Sequence, residues 1–212
     1  MDRGEVIIVG KLFLTSNGFH TDEMKATFLK EVGGKISELR VSIITTASPI
    51  KEQNKYVQKA YNDFRDMGFN FINFLDLEYD DPKVLLNCDV IYINGGNPFH
   101  LLLHIKRSGS EEIFRRLSQQ NIIFVGVSAG AIVLGPNIHI VQFFTPEMNN
   151  VNLEDLTGLN LVELMVFPHY DREDIFKDST GKTIEERLCE FEVVNNCVIH
   201  RMKDDQFILL ET

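Results

Sequence analysis

The chain alternates short apolar runs with longer stretches in which apolar residues recur every three or four positions. The first kind of segment suits a buried strand and the second an amphipathic helix. Strands are predicted at Lys11 to Thr15, Arg40 to Thr45, Asn70 to Leu75, Asp89 to Ile93, Asn121 to Val127 and Leu164 to Phe167. Glu5 to Val9 is an additional candidate strand near the amino terminus. Helices are predicted at Thr21 to Val32, with Thr21 as N-cap, and at Gln53 to Met67, where Gly68 stops the helix. Further helices are expected at Pro98 to Lys106, with proline at an early position, at Glu111 to Gln119 and at Ile184 to Glu192, and Ala129 to Leu134 reads as the start of another. Val198 to Met202 and Gln206 to Leu210 read as a hairpin across Lys203, Asp204 and Asp205. Apolar strands that alternate with helices belong to a parallel sheet covered on both faces. The expected fold is therefore α/β, a three-layer sandwich of flavodoxin-like type with a mainly parallel central sheet. No linker, repeat or low-complexity segment interrupts it, so residues 1–212 read as one domain.

Composition narrows the function classes. The formal net charge is −10 and no basic run occurs, which argues against nucleic acid or an anionic membrane as partner. No apolar stretch approaches the roughly 20 residues of a membrane helix, and Val6 to Val9 is too short for the core of a signal peptide. The three cysteines, Cys88, Cys189 and Cys197, show no CxxC spacing and read as reduced thiols of a cytoplasmic protein. A monomer and a homodimer are both compatible with this sequence.

The strongest chemical signal is Gly126-Val127-Ser128-Ala129-Gly130, a G-x-S-x-G between a predicted strand and a predicted helix. In that context a serine is raised on a sharp turn as a nucleophile, and the Ala129 amide at the helix start is a natural oxyanion donor. The competing interpretation is a glycine-rich turn with an ordinary N-cap serine. Asn94-Gly95-Gly96-Asn97 follows another buried strand, and Gly95 or Gly96 is placed to offer a second N–H donor. By itself that segment also fits a simple turn. A serine nucleophile needs a base, and an acid to orient it. Among six histidines, His169 stands out because it follows an apolar run and a proline and opens the polar cluster Tyr170, Asp171, Arg172. His100 and His104 have the i, i+4 spacing of a metal pair, but no third ligand with suitable spacing accompanies them and a partly exposed helix face is expected.

Asn94-Gly95-Gly96-Asn97, Gly126-Val127-Ser128-Ala129-Gly130-Ala131 and Pro168-His169-Tyr170 occur in the order and rough spacing of the peptidase E (aspartyl dipeptidase) and cyanophycinase family of serine peptidases. The chain resembles that family from Leu12-Phe13-Leu14-Thr15-Ser16 to Phe207-Ile208. The resemblance implies a class I glutamine amidotransferase-like α/β fold with serine in place of cysteine at the elbow. It implies that Ser128 attacks the carbonyl, that His169 is the general base, and that the Gly96 and Ala129 amides bind the oxyanion. The family's acid lies on a late loop, which corresponds to Asp204, with Asp205 as the alternative. Gly95, Asn97, Tyr170, Arg172 and Arg187 are candidate substrate contacts. No metal or organic cofactor is implied, and the expected substrate is a short peptide. Ile184 stands where aspartyl dipeptidases carry the arginine that grips the substrate's aspartate, and it cannot pair with a carboxylate. Hydrolysis of another acyl bond, or a binding protein on the same fold, are the alternative functions.

Overall fold

The computed structural model describes residues 10–211, so the candidate strand at Glu5 to Val9 lies outside the described residues. The elements run β1 (Lys11–Thr15), α1 (Asp22–Val32), β2 (Arg40–Ile44), α2 (Lys55–Asp66), β3 (Phe71–Leu75), β4 (Val90–Ile93), α3 (Pro98–Ser108) and α4 (Ser110–Ser118). They continue with β5 (Ile123–Val127), α5 (Ala129–Leu134), α6 (His139–Phe144), β6 (Met165–Pro168), α7 (Ile184–Asn195), β7 (Ile199–Met202) and β8 (Phe207–Glu211).

Helix ends follow local chemistry. The Thr21 hydroxyl accepts from the Met24 amide at the start of α1, and Thr183 and Glu186 close a capping box at the start of α7. Pro98 occupies the first turn of α3, where its missing N–H costs nothing.

Six strands form the central sheet in the order β3-β2-β4-β5-β1-β8. All neighbours are parallel except β8, which runs antiparallel to β1. Alternate residues of each strand face opposite sides. Phe13, Val41, Ile43, Val90, Tyr92, Ile123 and Val125 pack with Phe28 of α1 and Phe64 of α2 on one face. Leu12, Leu14, Ile44, Ile91, Ile93 and Phe124 pack with Phe99 and Leu102 of α3 and with Leu134 of α5 on the other. Two apolar layers around a mainly parallel sheet make the three-layer α/β sandwich.

The expected terminal hairpin does not form. β7 pairs in parallel with β6, as Phe167↔Arg201 and Pro168↔Met202. β8 returns to β1, with Leu12↔Leu210 and Thr15↔Phe207. The reason is visible in β8 itself: Ile208 and Leu210 pack against one apolar layer, Phe207 and Leu209 against the other. A strand apolar on both faces is best placed on the central sheet, where it also covers the open edge of β1. The loop Lys203–Gln206 therefore links two sheets. Among the described residues, no helix is long and apolar enough to cross a membrane.

Candidate active site

β5 lies between β4 and β1, so three carboxyl ends converge at Ser16, Asn94 and Ser128. Ser128 follows β5 directly and holds φ 49° and ψ −110°. That conformation is sparsely populated by any residue with a Cβ. It is fixed from behind, since the Ser128 amide donates to the Thr15 carbonyl at 2.9 Å. The sharp return into α5 requires small neighbours: a Cβ on Gly130 would stand 2.2 Å from the Ile93 carbonyl oxygen. Ala129 is the first residue of α5, so its amide has no acceptor within the helix. Gly96 holds φ 144°, and a Cβ there would meet the Ala47 carbonyl oxygen at 2.3 Å. The Gly95–Gly96 turn lies directly against the serine, because a Cβ on Gly95 would be 3.1 Å from Ser128 Cβ.

His169 follows β6 and also has a positive φ, 59°. Its amide donates to Ser16 Oγ at 3.1 Å, and that hydroxyl donates to the Met202 carbonyl at 2.9 Å. The next amide, Tyr170, reaches the same carbonyl at 3.2 Å. The imidazole thus sits over the cleft, with Nε2 3.0 Å from Ser128 Oγ and Nδ1 2.6 Å from Asp204 Oδ1. Asp204 is positioned by its amide, which donates to Asp171 Oδ1 at 3.2 Å, and by Arg172 Nη1, 3.4 Å from its second oxygen. Asp205, the alternative acid, is exposed and lies outside the cleft lining.

The cleft beside Ser128 holds about 430 Å³. Gly95, Gly96, Ala129, Arg172 and Asp204 border it. Its remaining wall is largely apolar, built from Ile132, Ile140, Val141, Phe144, Phe167 and Phe176. Three candidate substrate contacts lie outside this lining. Asn97 is occupied as the N-cap of α3: its Oδ1 accepts from the Phe99 and His100 amides, and its Nδ2 donates to the Met148 carbonyl at 2.7 Å. Tyr170 turns its hydroxyl to Glu185 of α7. Arg187 is buried, with its guanidinium 3.9 Å over the Phe144 ring and its Nη groups donating to the Phe144 and Phe176 carbonyls. Ile184 is fully buried in the core. Arg172 remains at the rim, where Nε and Nη2 pair with Asp174 at 2.9 and 2.8 Å.

Sequence reasoning missed Ser16 and α6. Ser16 acquires its role only through partners 153 and 186 positions away. α6 is only six residues long, too short for a periodic signal. The histidine pair on α3 is also less exposed than expected: His104 is buried, and Glu78 stands beside both rings.

The model of peptidase family S51 matches residues 12–211. The chain belongs to peptidase family S51. An uncharacterized peptidase of Pasteurella multocida is 35% identical over 164 residues, spanning 76% of this chain and 77% of that one. An uncharacterized peptidase of Listeria monocytogenes is 31% identical over 179 residues, with 82% and 84% covered. Peptidase E of a Nostoc species is 25% identical over 190 residues, with 87% and 75% covered. Among solved structures, a proposed peptidase E protein from Listeria monocytogenes superimposes with a TM-score of 0.71 at 24% identity, over 96% of this chain and 99% of that one. A peptidase from an acI-B1 actinobacterium gives 0.70 at 17% identity, with 96% and 84% covered. At those identities the two structures speak to the fold, which is the same mainly parallel α/β fold. The S51 protein is a serine peptidase.

Proposed function

We propose that this S51 peptidase hydrolyses short peptides, with dipeptides as the simplest substrates, through a Ser128–His169–Asp204 triad. The observation that carries this reading is the continuous line from Ser128 Oγ through the two ring nitrogens of His169 to Asp204, at 3.0 and 2.6 Å. His169 Nε2 takes the hydroxyl proton as Oγ bonds to the scissile carbonyl carbon. The resulting oxyanion is met by the amides of Gly96 and Ala129. The imidazolium then gives its proton to the departing amine, leaving an acyl-Ser128 ester. A water deprotonated by the same nitrogen cleaves that ester and restores the hydroxyl. Asp204 holds the ring in the tautomer that leaves Nε2 free to accept.

The residue whose carbonyl is attacked is apolar in this proposal. The cleft wall of Ile140, Val141, Phe144, Phe167 and Phe176 supports that preference, since burying a large aliphatic or aromatic side chain there contributes roughly 1.5–3 kcal/mol. Among the described residues, the cleft lining offers a substrate aspartate no free cation: Ile184 is buried, Arg187 is committed to two carbonyls, and Arg172 is already shared by Asp174 and Asp204. The test is a panel of dipeptides and matched esters beginning with Phe, Leu or Asp, run on the wild type and on Ser128→Ala. Turnover of Phe and Leu peptides above Asp peptides is expected, with a loss of several orders of magnitude in the variant. Undiminished activity in Ser128→Ala would overturn the nucleophile. Preferred cleavage of Asp peptides would overturn the apolar preference alone, and ester turnover without peptide turnover would redirect the reading to another acyl bond.

A further inference from the structure

A second cluster lies outside the lining of the cleft. His100 and His104 are one turn apart on α3, with ring centroids 4.5 Å apart and planes inclined at 45°. Glu78 reaches them from the turn that follows β3. Its Oε2 is 3.1 Å from His100 Nε2, and its Oε1 is 3.9 Å from His104 Nε2. Donor atoms of all three residues lie within 4.8 Å of one another. Around a tetrahedral zinc ion, with bonds of about 2.0–2.2 Å, adjacent donors stand about 3.3–3.5 Å apart. Small side-chain rotations therefore suffice to close the set on an ion. The side chains are 25%, 11% and 23% exposed, reachable from solvent yet largely removed from it.

The geometry points to Glu78, His100 and His104 as a binding site for a divalent transition-metal cation of the zinc class. Two imidazoles and one carboxylate, with the remaining positions left to water, are a donor set such ions favour. The surroundings supply charge and orientation. Lys51 Nζ holds Glu78 Oε2 and Asp76 Oδ2, each at 2.8 Å, which leaves Glu78 Oε1 turned toward His104. Two carboxylates, Asp76 and Glu78, thus share the single Lys51 ammonium, and these three groups together carry a net negative charge. Sequence spacing offered only the pair because the third ligand lies on another element and is brought in by the fold.

A bound ion would tie the first turns of α3, where His100 lies four residues after Gly96, to the turn that follows β3. It would not touch Ser128, so the inference stands whether or not the peptidase reading holds. The test uses the full chain, stripped with a chelator and titrated calorimetrically with Zn²⁺, with Co²⁺ absorption as a second probe. One equivalent of Zn²⁺ is expected to bind and to raise the melting temperature, and Co²⁺ is expected to give visible ligand-field bands. His104→Ala and the conservative Glu78→Gln should each weaken binding by about tenfold or more, while His200→Ala, at an exposed position outside the cluster, should leave it unchanged. Absence of a Zn²⁺ isotherm and of Co²⁺ bands in the wild type would overturn the site regardless of how the variants fold. Undiminished affinity in folded Glu78→Gln and His104→Ala would overturn it equally.

Discussion

Ser128 and His169 both hold φ values that side chains rarely adopt, 49° and 59°. Each such conformation costs of the order of 1–3 kcal/mol and persists only where neighbours over-determine it. For Ser128 the restraint is a backbone bond to Thr15. For His169 it is a side chain: Ser16 Oγ accepts from the His169 amide and donates to Met202. Ser16 is 1% exposed, so no water replaces it readily. Ser16→Ala would leave the His169 N–H without its acceptor and the Met202 carbonyl with the Tyr170 amide alone. The expected cost is about 1–3 kcal/mol in urea unfolding, together with a fall in kcat of tenfold or more and a nearly constant KM. Unchanged kcat in the folded variant would remove Ser16 as a positioning residue. Ser128 and His169 could be picked out in the sequence because small residues flank one and a strand end precedes the other. Ser16 could not, because its significance depends on where Met202 comes to rest.

At the scale of elements, the order of strands and helices was legible and most boundaries agree within two residues. Apolar runs buried on both faces have few alternatives to a parallel sheet. Partnership was less legible than existence. β7 and β8 were recognised as strands, yet a short polar loop between two strands does not disclose that they enter different sheets. The turn from β5 into α5 was legible in its glycines, and it sets a steric limit that can be measured. A Cβ on Gly130 would meet Ile93 carbonyl oxygen at 2.2 Å, its carbonyl carbon at 2.9 Å and its Cβ at 3.0 Å. Two of those atoms are backbone of a central strand, so relief requires α5 to move off β4. Gly130→Ala is therefore expected to destabilise by about 3 kcal/mol or more, the upper range of overpacking, despite alanine's better helix propensity. Denaturation at neutral pH reads this directly, and a melting temperature equal to the wild type would refute the close α5–β4 approach.

Over the whole molecule, the candidate site is assembled from two bodies of structure. The central sheet carries Ser128, while the β6–β7 pair delivers His169 after one strand and Asp204 after the other. The register of that small sheet therefore fixes the imidazole–carboxylate pair, and what fastens it to α7 matters to the site. Arg201 of β7 is the main polar fastening, since it pairs with Glu185 at 3.0 Å and with Glu192 at 2.5 Å. Both carboxyls are held below the ordinary glutamate value by the Arg201 hydrogen bonds. A carboxyl with a depressed folded-state pKa contributes stability that is complete above its unfolded value and lost as pH falls through the folded one. The contribution should therefore be full at pH 7, begin to decline near 4.5 and shrink further below it. Glu185 is about half exposed and adds little after solvent screening, so Glu192 dominates. Arg201→Met should lower stability by ~1–2 kcal/mol at neutral pH, and the gap between variant and wild type should narrow as the solution is acidified below pH 4.5. Urea unfolding at a series of pH values from 7 to 3 measures both quantities. A gap that stays constant across the series would mean that Arg201 acts through packing of its aliphatic stem rather than through these two carboxylates.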